Sequence, residues 1–512
     1  MLDKDAFPLT EIEPRLRTLL PAVLYTDVWL NPSADNLMRV FDHLRSLRYL
    51  LQDYLPRVVV ESAPSPGEVQ YNWEDGTLMF TDLAGFTNMM EANVSRGREG
   101  AFVLLEVLND YFAQMLEILG KSGGNLLEFT GDALLVQFPA DKEREDAARA
   151  VRAGLRMQNA MNQFVDVDTA AGKFTLQMRI GLHRGRFMIA NIGTPRRMET
   201  VLLGRAVYNT KIAEGAGKIG RVNLTRGTAN YIKNQYDFET GQRGHMLISN
   251  TVDLKDVGEY ELITSRRRLG RAMLFDRSVP ALLKEIEDLV NAVEPLASYL
   301  PSSALNLVVE STTRGKIAPS LTNLVVLFVS LLGLPESVGM AREEEEEDLI
   351  AGFSRIFSLI NAVVEARGGL LKKVTYQASG SNILVYFGAP NPHTDDAARA
   401  AKTALEIRDI VEAFEPLTVA GRPQKIGLQI GIAEGPAFVA ELGVPRGRRE
   451  FNVLGDTVNT AARLMAKADK GSIYITDKVC QQIAEQFKCD FLGEIPLKGK
   501  TPAPVFALKD KL

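Results

Sequence analysis

The stretch FTDLAGFT, residues 80–87, decides the fold of this chain. The apolar, β-rich run Thr77–Thr81 that leads into it predicts a short strand, which breaks at Asp82 into a turn containing Gly85. Apolar residues then recur at helical spacing over Gly100–Leu119. The sequence therefore predicts a strand, a loop and a helix in that order.

A second stretch, GGNLLEFTGDALLVQF at residues 123–138, predicts the next two strands. Leu126–Phe129 and Ala133–Phe138 are apolar runs on either side of Thr130-Gly131-Asp132, and a turn this tight needs a glycine. The two runs are therefore expected to form a hairpin with Asp132 at its tip.

The segments that follow complete a βαββαβ order. A helix is predicted from about Asp141 to Phe164, and Phe174–His183 and Arg186–Ile192 are predicted to pair as a second hairpin. A further helical segment is expected to begin near Ala206. This order predicts an α+β fold, an α/β sandwich in which helices lie on one face of an antiparallel, ferredoxin-like sheet.

The whole plan occurs twice. Tyr54-Leu55-Pro56 recurs as Tyr299-Leu300-Pro301, and the pair Gly123-Gly124 recurs as Gly368-Gly369. An offset near 250 residues is far longer than the ~20–50 of solenoid repeats, so it indicates a duplicated domain. We expect an N-terminal helical segment (1–70), a first domain (71–265), a linker with a helix (266–318) and a second domain (319–512).

Composition limits the class of protein. With 46% hydrophobic and 24% charged residues among 512, the chain is typical of a globular protein with two cores. A net charge of −5 without a basic stripe argues against a nucleic-acid partner. Cys480 and Cys489 alone give no disulfide framework and fit a reducing compartment. No signal pattern opens the chain, and no apolar run reaches the ~20 residues of a membrane span, so a cytoplasmic protein is expected.

The two aspartates predict a metal site. A carboxylate at the end of the first strand and another in the adjacent hairpin can approach each other, because neighbouring strands lie ~4.8 Å apart. Mg²⁺ typically takes one or two carboxylates, water and substrate phosphates. The amides of residues 83–87 would offer a phosphate site at a helix N-terminus. The alternative is that Asp82 is a helix cap and Asp132 a turn residue.

These two stretches, together with VLGDTVNTAARL at residues 453–464, resemble the catalytic domains of class III nucleotidyl cyclases. The likeness is strongest to the tandem-domain, bicarbonate-stimulated soluble adenylyl cyclases, and it covers roughly Gly76–Gly220 and Leu324–Leu508. It implies a head-to-tail domain pair, expected here within one monomeric chain, that converts ATP to 3′,5′-cyclic AMP and pyrophosphate.

The resemblance assigns the first half to metal and phosphate binding. Asp82, Asp132 and the backbone carbonyl of Leu83 match ligands of two divalent cations, Mg²⁺ or Mn²⁺. Gly85, Phe86 and Thr87 fall where the substrate phosphates are bound.

The resemblance assigns the complementary residues to the second half. Lys373 and Asn452 match the pair that reads adenine. Asn459 matches the residue that orients the ribose, and Arg463 the one that stabilises the transition state. Lys498 falls in a terminal element that can contact phosphates. The alternatives are a helix cap for Asn459 and solvated surface charges for Arg463 and Lys498.

Only one of the two interface sites is expected to catalyse. In the second half Ser330 replaces the first aspartate, and the hairpin Leu370–Phe387 has no acidic residue and is longer. In the first half the base-reading positions carry Glu128 and Val201. This degenerate pocket is expected either to be closed by an ion pair between Glu128 and Lys211 or to bind a small-molecule effector. Bicarbonate is disfavoured, because Glu128 would repel it.

Two other classes fit the same fold. A catalytically silent nucleotide-binding regulator would bind ATP without turnover. A diguanylate-type cyclase would share the ferredoxin-like plan, but Gly123-Gly124-Asn125-Leu126-Leu127 lacks the acidic signature of that class. Both alternatives leave the expected adenylyl cyclase as the main prediction.

Overall fold

A computed structural model describes residues 7–94, 96–249, 257–260, 276–312, 317–377, 380–445, 447–497 and 501–512, so that Lys498 lies outside the described residues. The helices are α1 Phe7–Leu19, α2 Ala22–Leu30, α3 Ala34–Tyr54, α4 Arg57–Ser62, α5 Phe86–Val94, α6 Gly97–Lys121, α7 Asp146–Ala160, α8 Arg205–Gly215, α9 Arg226–Tyr231, α10 Val279–Ala297, α11 Ser302–Ser311, α12 Leu334–Val338, α13 Glu343–Ala366, α14 Asp396–Ala413, α15 Asp456–Lys467 and α16 Asp477–Ile483. The strands are β1 Gln70–Ala84, β2 Asn125–Thr130, β3 Ala133–Pro139, β4 Val167–Thr169, β5 Gly172–Phe174, β6 Gln177–Thr194, β7 Arg197–Leu203, β8 Val222–Leu224, β9 Phe238–Thr240, β10 Met246–Ile248, β11 Ser320–Leu332, β12 Leu370–Gln377, β13 Gly380–Phe387, β14 Leu417–Val419, β15 Arg422–Gln424, β16 Gly427–Gly443, β17 Arg449–Leu454, β18 Ile473–Thr476, β19 Phe487–Ile495 and β20 Ala503–Lys511.

Each half forms one eight-stranded sheet with the same strand order. The first is β2-β3-β1-β6-β8-β10-β9 with β7 paired to β6, and the second is β12-β13-β11-β16-β18-β20-β19 with β17 paired to β16. The four strands β2, β3, β1 and β6 are the antiparallel ferredoxin-like core. The predicted α+β class is therefore confirmed. The sheet is mixed rather than antiparallel throughout, because β8 runs parallel to β6 and β18 runs parallel to β16.

Strand registers align the two halves residue by residue. A register shift occurs between Leu126 and Glu128 in one edge strand and between Leu371 and Lys373 in the other, so Glu128 and Lys373 are equivalent. Val201 and Asn452 both lie opposite an alanine of the long central strand. The equivalences read from the sequence therefore coincide with equivalent places in the two sheets.

The predicted hairpin of Phe174–His183 with Arg186–Ile192 is wrong. Both segments belong mainly to one continuous strand, β6, and the chain reverses only between β6 and β7. Gly185 lies between the two predicted segments and stays within the strand, where an added Cβ would lie 3.1 Å from the Cβ of Ala206. The glycine allows helix α8 to pack closely on the strand.

The first strand is longer than predicted, and a helix was missed. β1 continues through Asp82 to Ala84, and α5 begins at Phe86, ahead of the predicted helix α6. Gly85 makes this abrupt change possible, because its φ is +91° and an added Cβ would lie 2.6 Å from the carbonyl oxygen of Thr175. Burial of Phe86, Met89 and Met90 anchors α5 on the first domain.

The domains share a continuous apolar interface. Helices α3 and α10, which lead into the two Tyr-Leu-Pro segments of the repeat, cover its end. Leu203 and Val207 of the first domain belong to the same buried cluster as Leu327 and Val329 of the second. In a second cluster, α3 and α10 pack together with buried residues of β11 and β16. Burial of this apolar area, at roughly 25 cal/mol per Å², favours a fixed arrangement of the two halves.

Among the described residues one helix, α13, is long and apolar enough to cross a membrane by length and composition. Half of its most apolar window is buried in the protein, and Phe353, Phe357 and Ile360 lie in the core of the second domain. A helix of a protein core passes the same test, so α13 is weak evidence for a membrane span.

Candidate active site

The structure brings Asp82 and Asp132 together. Asp82 lies near the end of β1, and Asp132 lies in the turn between β2 and β3, the strand that pairs with β1. Burial and then the charge of Asp82 raise the pKa of Asp132 to about 7. Because the charge of Asp82 disfavours ionisation of Asp132, a divalent cation between the two carboxylates would relieve the repulsion.

Arg179 is a functional candidate that sequence reasoning missed. It lies directly opposite Asp82 in the pairing of β1 with β6, and its Nη2 donates to the Asp82 carboxylate. Its Nε also forms an ion pair of 3.0 Å with Oε1 of Glu214 on α8. Only the strand register, which the wrong hairpin prediction obscured, would have placed this arginine beside the aspartate.

The predicted phosphate segment surrounds the start of α5. Gly85 is exposed, Thr87 is partly exposed, and the side chain of Phe86 is buried. Leu83 is buried in β1 opposite Met178. The first amides of α5 therefore lie within five residues of Asp82 along the chain, where a helix N-terminus can accept an anion.

No cluster of three or more His, Cys, Asp or Glu side chains that could hold a metal occurs among the residues that the structure describes. A site made of Asp82, Asp132 and one backbone carbonyl contains two such side chains, one fewer than a cluster of this kind requires. The two carboxylates, rather than a larger acidic group, are thus what this described part of the chain offers to a cation.

Lys373, in the second half, reaches across the domain interface to the β2–β3 hairpin, which carries Asp132. Its Nζ donates to the backbone carbonyl of Phe129, which precedes Asp132 by three residues in the first domain. The same Nζ is 2.8 Å from Oε1 of Glu450. A second-half residue predicted to read the base is therefore in contact with the hairpin that carries the first-half aspartate.

Asn452 is contacted by Lys372 instead of Lys373. Its Oδ1 accepts from Lys372 Nζ at 2.8 Å and from the Val453 amide at 2.9 Å. Its buried Nδ2 has no hydrogen-bond partner among the described residues. The two predicted base-reading residues are thus joined through Lys372 and Glu450, because Lys372 also donates to that glutamate.

Glu450 organises this cluster. Burial alone would raise its pKa, but Lys372 and Lys373 outweigh that effect and lower the pKa to about 2. Burial lowers the pKa of Lys372 to about 8, whereas the pKa of Lys373 is raised because the nearby carboxylates outweigh burial. Glu450 stands two residues before Asn452 on β17, and this spacing puts both on one face of the strand. Sequence reasoning missed Glu450, and its spacing of two residues from Asn452 is the signal that could have found it.

Asn459 and Arg463 lie one turn apart on α15, the helix that follows the Asn452 strand. Both side chains are partly exposed, while Ala461 and Leu464 on the same helix are buried. The helix starts close to β16 because Gly455 adopts a φ of +152° and an added Cβ would lie 3.2 Å from Pro436 O. The predicted spacing on one helical face is therefore present.

In the equivalent second site, the second-half strand and hairpin that correspond to those of Asp82 and Asp132 carry no acidic residue among the described residues. Ser330 lies opposite Gln429, as Asp82 lies opposite Arg179, and its buried hydroxyl has no hydrogen-bond partner among the described residues. The β12–β13 hairpin pairs two more residues on each strand than β2–β3 does. Its described residues provide no carboxylate with which Ser330 could form a metal pair.

Glu128 and Lys211 interact electrostatically in this second site. Burial lowers the pKa of Lys211 to about 8, with Lys373 acting in the same direction and Glu128 against it. The Lys211 Nζ lies 5.0 Å from the centre of the Phe80 ring, and Thr130 Oγ1 donates to Glu128 at 3.0 Å. The two charges therefore lie near each other, and a direct ion pair stays a prediction.

These features define a tandem protein in which two ferredoxin-like domains form one interface with unequal sites. The family described as "Adenylate and Guanylate cyclase catalytic domain" matches residues 69–262 and 318–510, so the chain belongs to this family. The expected resemblance to class III cyclases is thereby confirmed.

Several known proteins are similar to parts of the chain. Adenylate cyclase type 10 of Oryctolagus cuniculus is 23% identical over 429 residues, which cover 80% of this chain and 25% of that protein. An adenylate cyclase of Mycobacterium tuberculosis is 30% identical over 206 residues, covering 40% and 43% of the two chains. The chain thus spans about a quarter of the length of the type 10 relatives.

One solved structure matches both domains together. The class III adenylyl cyclase-like ATP-binding protein from Pseudomonas aeruginosa aligns with 87% of this chain and 92% of its own, at 16% identity and a TM-score of 0.56. At this identity the likeness concerns the fold alone. It supports the paired arrangement of the two halves.

Proposed function

We propose that the chain is an adenylyl cyclase that converts ATP to 3′,5′-cyclic AMP and pyrophosphate at one composite site between its halves. The observation that carries the proposal is the contact of Lys373 with the carbonyl of Phe129. This contact joins Lys373, the proposed base-reading residue of the second half, to the hairpin of the first half that carries Asp132. The relatives named adenylate cyclase support the same reaction.

Asp82, Asp132 and the backbone carbonyl of Leu83 would hold the divalent cations. Bound Mg²⁺ or Mn²⁺ would supply activation of the ribose 3′-hydroxyl and neutralisation of the triphosphate charge. The raised pKa of Asp132 fits this role, because a bound cation would favour the ionised carboxylate that burial and Asp82 disfavour. Arg179 would hold Asp82 in place beside the cations.

Lys373 and Asn452 would select adenine. The lysine can donate to a ring nitrogen, and an amide oxygen can accept from the exocyclic amine. In the structure both lone pairs of Asn452 Oδ1 are engaged, by Lys372 and by the Val453 amide. Recognition of the amine therefore requires Lys372 to leave Asn452, and its second partner, Glu450, remains available to it.

Asn459 and Arg463 would act on the ribose and on the reacting phosphate. The attack of the 3′-oxygen on the α-phosphorus increases negative charge on the phosphoryl oxygens, which the fixed donors of a guanidinium stabilise well. The amides of Phe86 and Thr87 at the start of α5 would bind the phosphates that leave. Lys498 remains part of this proposal as a phosphate contact.

The second interface site would be catalytically inactive, because Ser330 and its hairpin provide no carboxylates. We propose that Glu128 and Lys211 either close this site or leave room for a small effector. A strong stimulation of activity by bicarbonate would contradict the ion-pair alternative.

A silent ATP-binding regulator is the second candidate, and one observation favours it. Arg179 already donates to Asp82, so a guanidinium occupies part of the coordination that a cation needs. In a silent protein this ion pair would persist with ATP bound.

Cyclic AMP formation from ATP by the purified chain, with Mg²⁺ or Mn²⁺, separates the two functions. Activity that is lost in both Asp82→Ala and Arg463→Ala would support one site built from both halves. ATP binding without cyclic AMP, under either metal, would favour the silent regulator. Equal activity in the parent and both variants would contradict both assignments.

A further inference from the structure

A central pocket lies where the two halves of the repeat meet. It is lined by both Tyr-Leu-Pro turns, at residues 54–56 and 299–301, and by parts of β2, β7, β12 and β17. Its volume is about 130 Å³. Asn452, Asn459, Ser330 and Lys211 do not line it, whereas Lys373 and Glu128 do, so the central pocket adjoins the proposed catalytic site and its degenerate counterpart without including the rest of either.

The central pocket is built from equivalent charges that are paired unequally. On one side Arg197 is fully buried, forms an ion pair of 2.5 Å with Glu199, and donates to the carbonyl of Tyr299 at 3.0 Å. The equivalent residues on the other side are Arg448 and Glu450. Glu450 is already bound by two lysines, which have no counterparts in the first half because Leu127 and Glu128 occupy those positions.

Arg448 is consequently left without a carboxylate partner. Among the described residues its Nη1 reaches only two backbone carbonyls, of Asp53 and Arg449, each at 3.4 Å, and its Nε has no hydrogen-bond partner. The nearby Asp53 carboxylate is within 3.4 Å of Arg449. Burial lowers the pKa of Arg448 to about 10. Arg448 is half-buried, and a guanidinium with unused donors in such a pocket is a site for an anion.

The charge balance and the walls define which anion fits. Lys372, Lys373 and Arg448 line the pocket together with Glu128, Glu199 and Glu450, and Arg197 adds a fourth cation by its pairing with Glu199. One negative charge would balance this set. Much of the remaining wall is apolar, as at Leu55, Pro56, Leu300, Pro301 and Phe451. An apolar cavity of roughly 150 Å³ holds benzene, so a pocket of this size can accommodate a ligand with one aromatic ring.

We propose that the central pocket binds a small organic monocarboxylate, with Arg448 receiving the carboxylate and the Tyr-Leu-Pro turns forming the apolar walls. Arg448 would donate in the bidentate geometry that guanidinium and carboxylate share. The ligand would lie beside Glu450, which holds Lys373, and beside Lys372, which holds Asn452. If the proposed function is correct, occupancy would therefore change the KM for ATP.

Calorimetric titration of sodium benzoate into the full chain, without ATP, tests the binding. Benzamide has the same shape and no charge, so it serves as the matched ligand control. We expect saturable binding of benzoate that is at least tenfold tighter than that of benzamide, the size expected for one charge-assisted contact. Absence of saturable benzoate binding, or equal affinity for both ligands, would overturn the proposal.

Two variants test the location of the bound ligand. Arg448→Met removes the guanidinium, and Ala304→Leu fills the pocket while it keeps the charge; each should weaken benzoate binding at least tenfold. Arg243→Met, the same exchange at an exposed position, should not change it. Circular dichroism establishes which variants fold. If Arg448→Met does not fold, the affinity of Ala304→Leu for benzoate decides the location. Either folded pocket variant that retains wild-type affinity refutes the location. Because ATP is absent, failure of the proposed cyclase activity leaves this test intact.

Discussion

Replacing Asp132 with asparagine should stabilise the metal-free protein while it removes the proposed activity. In an unfolded chain an aspartate ionises near pH 4, whereas the pKa of Asp132 in the folded protein is about 7. Between these values the folded protein keeps a proton that the unfolded chain has released. The contribution of Asp132 to stability therefore falls as the pH rises from about 4 to about 7, and it stays low above that.

The size of this effect follows from the two pKa values. By linkage, the penalty is at most roughly 2 kcal/mol at about pH 5.5 and roughly 4 kcal/mol at about pH 8. Because the Asp132 side chain is partly exposed, solvent screening reduces the difference between the two conditions to about 1 kcal/mol. An asparagine at this position carries no charge and avoids the penalty at both pH values.

Thermal unfolding in EDTA, followed by circular dichroism at these two pH values, measures the effect. The gain in Tm of Asp132→Asn over the parent should be larger at the higher pH by about 2–4 °C for unfolding of the first domain alone, and by about 1 °C for unfolding of the whole chain as one unit. Added Mn²⁺ should then raise the Tm of the parent and leave the variant unchanged. Asp110→Asn, at an exposed position of α6, controls for the loss of one charge. A gain that is the same at both pH values, or a variant less stable at the higher pH, would refute the raised pKa of Asp132 in the folded protein.

Three further predictions concern the composite site. Arg463→Ala should lower kcat by about 10²–10³-fold in a steady-state cyclic AMP assay, whereas Lys467→Ala on the same helix should not; a change confined to KM would contradict a transition-state role. Glu450→Gln should raise the KM for ATP about tenfold, because Lys373 loses its ion pair, and an unchanged KM would separate this cluster from base binding. Ser330→Asp should create no second active site, because one carboxylate forms no metal pair. A second, kinetically distinct site for ATP in the same assay would show that the degenerate interface can catalyse.

The ferredoxin-like plan could be predicted because its signals are local. The strand before Asp82, the hairpin around Gly131 and the helix over Gly100–Leu119 each occupy one continuous segment with its own periodicity. Gly185 shows where such reasoning stops. A glycine in a strand can mark a turn or a close approach of another element, and only the position of Ala206 in space distinguishes them.

The sequence by itself determined the duplication, the two aspartates of the first half and the complementary residues of the second. These features are read from residue types at fixed spacing, and equivalent strands place them at equivalent points of the two sheets. The partners of these residues were decided by tertiary structure. Arg179 reaches Asp82 across 97 residues of chain, and Lys372 reaches Glu450 across 78. The strength of a charge pair depends on distance and burial, and neither is encoded in local spacing. The asymmetry that leaves Arg448 without a carboxylate is therefore visible only once the two halves are folded against each other.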